Sequence, residues 1–259
     1  MSMKKIILSV AFLLISVPVF GESAVEKYNH GNALYRQGKY DEAAKLYEEA
    51  LASGVHSPEL YFNLGNAYFR LKNLGKAILS YRRGLIFSPR DKELRYNLRF
   101  ATAYTKDRIP SIYEGFFGKI YRKIIEFASF AELLRLLILL SVILTVSVIL
   151  YMFRRRGMTL VICFGMFFLL VAAVFLLKMS DRWETRAAVV LSPKLDCFSA
   201  PTTESEILFT IHEGTTVALE ELRGDWLKIS LTDNRVAWVP QKAVEMVIPH
   251  ENSQLSTLK

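Results

Sequence analysis

Two long apolar runs, separated by only four residues, limit this chain more than any other feature. Residues 136–153 and 158–177 carry no charged side chain. Each is long enough to cross the ~30 Å hydrocarbon core of a bilayer as a helix. The intervening Arg154-Arg155-Arg156-Gly157 is too short for anything but an antiparallel hairpin. Whatever precedes and whatever follows the hairpin must then face the same compartment. Residues 1–21 read as a secretory signal: Lys4-Lys5, an apolar stretch over 6–20, then Val19 and Gly21 at the −3 and −1 positions. The mature chain would start at Glu22. The alternative, an uncleaved anchor, gives the same topology. The arginine turn is expected on the cytoplasmic side, although Lys119, Arg122, Lys123 and Arg135 precede the first span and Lys178, Arg182 and Arg186 follow the second.

Charge is divided unevenly. Residues 22–108 hold 15 Lys and Arg against 10 Asp and Glu, whereas 187–259 hold 6 against 10. A nucleic-acid binder would be basic throughout, so this balance argues against nucleic acid. Anionic lipid is the simplest partner for the membrane-flanking excess. The two cysteines lie far apart, Cys163 inside the second span and Cys197 near the C-terminus, and no disulfide between them is expected. Cys197 has no CxxC partner and reads as a packed small residue rather than a reactive thiol. His30, His56, His212 and His250 are isolated. No metal-spaced His/Cys cluster, acid–base pair or phosphate-binding glycine loop stands out, so neither catalysis nor a cofactor or metal is expected.

Between residues 22 and 91 the sequence repeats with a period of 34. Gly31, Asn32 and Ala33 recur as Gly65, Asn66 and Ala67; Ala43, Tyr47 and Leu51 recur as Ala77, Tyr81 and Leu85. Gly84 replaces the expected counterpart of Ala50, and Pro89 closes the second unit. Residues 92–104 begin a third helix, in which Asn97-Leu98 echoes Asn63-Leu64, and are expected to cap the array. These residue types at this period resemble tetratricopeptide repeats. Small residues at Gly31, Gly65, Ala43 and Ala77 would let paired helices approach, with Tyr47 and Tyr81 filling the space between them. Such arrays bind peptides in a concave groove. By resemblance, the groove positions here are Asn32, Tyr35 and Arg36, then Asn66, Phe69 and Arg70. For the two asparagines, bracing of neighbouring helices is the equal alternative.

Pro110 ends the repeat region. Residues 116–128 then put Phe116, Phe117, Ile120, Tyr121, Ile124, Ile125 and Ala128 on one helical stripe and Lys119, Arg122, Lys123 and Glu126 on the other. This pattern suits an interfacial helix, with packing on the repeat array as the alternative. Arg135 sits within reach of the surface by snorkelling. From 187 to 247 short β-prone runs alternate with turn residues: AAVVL, ILFTI, TTVALEEL, WLKISL and RVAWV. Five or six strands in so short a stretch suit a small barrel. Glu213-Gly214, Gly224-x-Trp226-x-Lys228-Ile229 and Asp233-x4-Trp238-Val239 resemble a bacterial SH3-like domain, with Asn234 and Ala237 where glycine is common. Alternation places Leu227, Ile229 and Leu231 inward and turns Trp226 the other way. Trp226 and Trp238 are candidates for an exposed aromatic platform, with core or rim packing as the alternative.

The expected architecture is a multi-domain membrane protein. It has a signal (1–21), an all-α tetratricopeptide array with a capping helix (22–105), an interfacial segment (106–132) and a two-helix transmembrane hairpin (133–153 and 158–177, turn 154–157). A linker (178–186), a small all-β SH3-like barrel (187–248) and a disordered tail (249–259) complete it. This order, with markers at 91–98, 114–117 and 190–247, resembles the BatE family of bacterial aerotolerance (Bat) operon proteins. The resemblance implies an inner-membrane protein; the signal and the even number of spans put both soluble domains in the periplasm, and a non-enzymatic scaffold is the expected function. The resemblance also implies von Willebrand factor A-type membrane proteins and, indirectly, a MoxR-type AAA+ ATPase as partners, and a role in envelope stress tolerance. A peptidoglycan-binding sensor is the alternative function.

Overall fold

A computed structural model of the chain describes residues 21–109, 116–125, 127–154, 157–181 and 186–248. The signal segment up to residue 20, Pro110, Arg155-Arg156, Arg182 and the tail from 249 lie outside the described residues.

Five helices form the N-terminal unit: α1 (Gly21–Arg36), α2 (Tyr40–Ala52), α3 (Pro58–Arg70), α4 (Leu74–Phe87) and α5 (Lys92–Ala103). Local signals set their ends. The Ser57 hydroxyl accepts from Leu60 N–H ahead of Pro58, Asn73 Oδ1 accepts from Lys76 N–H, and Asp91 Oδ1 accepts from the N–H groups of Glu93 and Leu94. The pairs α1–α2 and α3–α4 close on the small residues. Ala43 and Ala77 are fully buried. A Cβ on Gly31 would lie 2.6 Å from Tyr47 Cε1, and one on Gly65 would lie 2.4 Å from Tyr81 Cε1. Gly84 has its own reason. A Cβ there would meet Leu94 of α5 at 2.9 Å, so the break in the repeat makes room for the third unit.

Helices α6 (Phe116–Ile125), α7 (Phe130–Arg154) and α8 (Met158–Ser180) follow. At ~1.5 Å per residue, α7 and α8, of 25 and 23 residues, exceed the ~30 Å apolar core. They are antiparallel: Phe130 meets Phe175 and Lys178, Leu140 and Val171 share a core, and Leu144 reaches Gly165. Most of their remaining apolar side chains, Phe153 and Leu169 among them, face outward. Inside α7 the hydroxyls of Ser141, Thr145 and Ser147 donate to carbonyls three or four residues back. That satisfies them without water, as a helix crossing hydrocarbon requires. The helix starts three residues before the expected boundary, because Ser129 and Glu132 form a reciprocal capping box: Ser129 N–H donates to Glu132 Oε2 at 2.9 Å and Glu132 N–H to Ser129 Oγ at 3.1 Å.

The C-terminal unit is one seven-stranded antiparallel sheet. Its strands are β1 (Ala187–Val190), β2 (Lys194–Phe198), β3 (Ile207–His212), β4 (Thr216–Arg223), β5 (Trp226–Ser230), β6 (Val236–Pro240) and β7 (Val244–Met246), in the order β3-β2-β6-β5-β4-β1-β7. Val190, Leu195, Ile211, Leu219, Ile229 and Val239 converge on one core. A single sheet burying one core must curl on itself, as an SH3-like fold does. Leu227, Ile229 and Leu231 are buried as expected, and Asn234 takes the left-handed conformation at φ 66°. The strands β2 and β7 extend the expected set to seven.

The two soluble units are not separate. All four residues of β1 are buried, and they alternate between cores. Ala188 and Val190 face the sheet's own core; Ala187 and Val189 join the core of the helical array, as does Val247.

Candidate functional site

Stacking of the units puts α1, α3 and α5 side by side on one face, with α2 and α4 behind. Polar pairs fix this spacing at the same period as the sequence. Asn32 Oδ1 accepts from Tyr47 OH at 2.7 Å and from Asn63 Nδ2 at 2.9 Å. One unit later, Asn66 Oδ1 accepts from Tyr81 OH and Asn97 Nδ2, both at 2.8 Å. Asn63 also donates to Tyr28 OH at 3.0 Å. Burial pushes the Tyr47 and Tyr81 phenols well above their ordinary range, so both stay protonated as the donors these contacts need. Of the two roles open to Asn32 and Asn66, the geometry therefore puts their carbonyls in the bracing one.

The other groove positions lie at the surface of the same face. Arg36 and Arg70 are exposed, while Tyr35 and Phe69 are half-buried. Tyr35 meets Tyr40 edge-on at 5.1 Å, and the Arg70 guanidinium lies 4.7 Å above the Tyr40 ring. Phe69 does not stand alone. It packs on Phe100 at 5.5 Å and Tyr104 at 5.8 Å, and Phe100 stacks on Tyr96 at 6.1 Å. Tyr96, Phe100 and Tyr104 are 59%, 42% and 61% exposed, enough to mark them as surface rather than core. Helix α5 is thus more than the cap its sequence suggests, and these three rings lie outside the expected groove positions. The signal was there: Tyr28, Phe62 and Tyr96 are 34 residues apart. Between Phe62 and Tyr96 lies a shallow cavity of about 550 Å³, bordered by Lys92, Arg95 and Arg99. The face thus offers flat aromatic area flanked by guanidinium groups, an arrangement that suits an extended or helical protein segment.

The aromatic platform on the sheet needs correction. Trp238 is only 7% exposed. Arg223 lies 4.9 Å and Lys228 6.0 Å from its ring centre, while Trp226 is half-buried and packs edge-on against Phe198 at 5.5 Å. The cause is cross-strand pairing. Lys228 stands directly opposite Trp238, and Arg223, opposite Trp226, reaches across to the same ring, so two long cationic side chains lie over Trp238.

The seam between array and sheet is built on α4 and on the segment just beyond α5. Glu213 Oε1 accepts from Gly75 N–H at 2.8 Å, giving α4 the N-terminal acid that its own first turn lacks. Arg83 donates to Glu245 Oε1 at 2.8 Å and to the carbonyls of Met246 and Val247. Asp107, just beyond α5, accepts from His212 N–H at 2.5 Å, from the His212 ring at 2.8 Å and from Thr215 Oγ1 at 2.6 Å. Burial opposes the Asp107 charge, but the bonds from Thr215 and His212 outweigh it and hold the carboxyl below its usual range.

Cys197 is buried in the sheet core, and burial pushes its thiol up to about 12, so it is unreactive. Residues 28–92 match the family model for the tetratricopeptide repeat, and residues 194–245 match that for the bacterial SH3 domain. No curated protein matches the chain. The chain therefore joins, around two candidate membrane helices, two kinds of domain that typically serve interaction rather than catalysis.

Proposed function

We propose that this chain is a non-enzymatic scaffold of the bacterial inner membrane, with array and SH3-like domain both periplasmic, that holds an envelope protein partner on the aromatic face of α1, α3 and α5. The observation that carries this reading is the exposed Tyr96–Phe100–Tyr104 ladder, left open while the SH3-like domain packs against α4. Tyr35, Arg36, Phe69 and Arg70 belong to the same surface and are its remaining contact residues. The resemblance to the BatE family favours von Willebrand factor A-type membrane proteins as the direct partners. It favours a MoxR-type ATPase acting through them, in envelope stress tolerance.

A photo-crosslinking residue at Tyr96, in native membranes, should capture a discrete membrane protein. Adding Arg36→Ala and Arg70→Ala should weaken that capture while the fold survives, since a hydrogen bond to a charged group is worth ~1.5–3 kcal/mol. Capture at full strength in the double variant would remove the arginines from the site. No capture at Tyr96 would overturn the scaffold reading. The bacterial SH3 match favours a second reading, a peptidoglycan-binding sensor. Retention of the full chain on purified peptidoglycan, unaffected by the groove changes, would favour it.

A further inference from the structure

Helix α6 exposes more apolar surface than a soluble helix tolerates. Phe116 and Phe117 are 73% and 82% exposed, and Ile120 and Ile124 lie exposed on the same stripe. The repeat array is complete and docked, yet it leaves this stripe uncovered. Its position is informative. The helix α6 packs on α8, and Phe127 and Ala128 lead straight into α7. The uncovered stripe is therefore continuous with the lipid-facing surface of the hairpin. Arg90, from the α4–α5 turn, donates to the Phe127 carbonyl at 3.2 Å and to Glu132 Oε1 at 2.6 Å, so the array is tied to the same end of the hairpin. Lys119 and Lys123 are exposed and form no ion pair among the described residues.

We propose that α6 seats in the headgroup layer of an anionic bilayer, with its aromatic stripe at the acyl boundary and Lys119 and Lys123 on lipid phosphates. The array is thereby held at a fixed height above the membrane. Continuity with the hairpin and the exposed lysines both select a lipid surface as the occupant. The proposal rests on the hairpin spanning the bilayer, and the test separates the two. A bimane label is placed at Phe117→Cys in the full chain carrying Cys163→Ser; Cys197 is buried and does not label. The protein is reconstituted in vesicles of phosphatidylcholine containing one quarter phosphatidylglycerol.

The label should be shielded from aqueous iodide and quenched by brominated acyl chains. Each lysine replaced, in Lys119→Glu with Lys123→Glu, should shift the seated population at least about fivefold toward water, the effect of losing one basic residue at an anionic surface, with the repulsion of glutamate added to it. Open access to iodide in the anionic vesicles would overturn the seat. Equal shielding in pure phosphatidylcholine, or in the charge-reversed variant, would overturn headgroup recognition. Shielding from both quenchers would mean that a protein covers the stripe, which also overturns the proposal. In the unaltered chain a label on Cys163, which lies exposed on α8, reports the hairpin itself. Iodide access there would sink the spanning reading rather than this one.

Discussion

Asn66 is half-buried and accepts two hydrogen bonds from two different helices, so its side chain helps to hold the array together. Asn66→Ala leaves Tyr81 OH, in a buried ring, and Asn97 Nδ2 without their acceptor. The cost is ~1–3 kcal/mol, against a propensity gain of a few tenths for alanine in a helix. Urea unfolding of the full chain in nanodiscs should show a clear loss, whereas Arg36→Ala should leave the midpoint unmoved. Asp107 gives the seam a pH dependence. Its folded-state carboxyl is held low. Its contribution is therefore complete above the ordinary carboxylate value of ~3.9 and is lost as pH falls through the lower folded value. Wild type should lose stability steeply below about pH 4. Asp107→Asn should be weaker at neutral pH and flatter in acid, as read by unfolding midpoints across that range.

At the scale of the element, two opposing effects meet at Gly65. Alanine in mid-helix gains ~0.5–1 kcal/mol over glycine. The added Cβ, however, would lie 2.4 Å from Tyr81 Cε1, in a ring only 2% exposed and bonded at its hydroxyl. The ring cannot swing away without giving up Asn66. Overpacking of ~1–3 kcal/mol outweighs the propensity gain, so Gly65→Ala should destabilise. Ala77→Trp, at a position with no exposed surface, should do so more and abolish cooperative unfolding of the array. An unchanged melt in either variant would mean that the repeat register is wrong. Strand β1 teaches the converse. Its sequence, AAVV, lacks the polar alternation of a half-exposed strand, and the structure shows why: it is buried on both faces, between two cores.

At the scale of the whole molecule, the seam makes array and sheet one body. A Cβ on Gly75 would lie 2.8 Å from the Val190 carbonyl, a backbone atom that cannot step aside. Gly75→Val should force the units apart. The soluble part of the wild type should melt in a single calorimetric transition, and the variant in two. The same seam bears on topology. Contacts of Arg83 with Glu245 and of Asp107 with His212 require both units in one compartment. Alkaline phosphatase fused after Ala103 and after Val247 should be active at both sites if that compartment is the periplasm. Activity at one site alone would be incompatible with the seam. Inactivity at both would place the domains in the cytoplasm.

The sequence by itself determined every element whose signal is a local period. The apolar runs set the hairpin, the 34-residue repeat set the helix pairs and their glycine–tyrosine contacts, and alternation set the inward side of β5. These patterns are legible because helix and strand geometry converts spacing along the chain directly into a face. Three matters were decided only by tertiary structure: the bracing role of Asn32 and Asn66, the covering of Trp238, and the joining of array to SH3-like domain. Asn32 finds its partners 15 and 31 residues away, on two other helices. The Trp238 ring is covered by side chains from β4 and β5. The seam pairs Gly75 with Glu213 and Arg83 with Glu245, 138 and 162 residues apart, across the membrane hairpin. No periodicity encodes contacts of that kind, because they follow from the shapes of surfaces that exist only once each unit has folded.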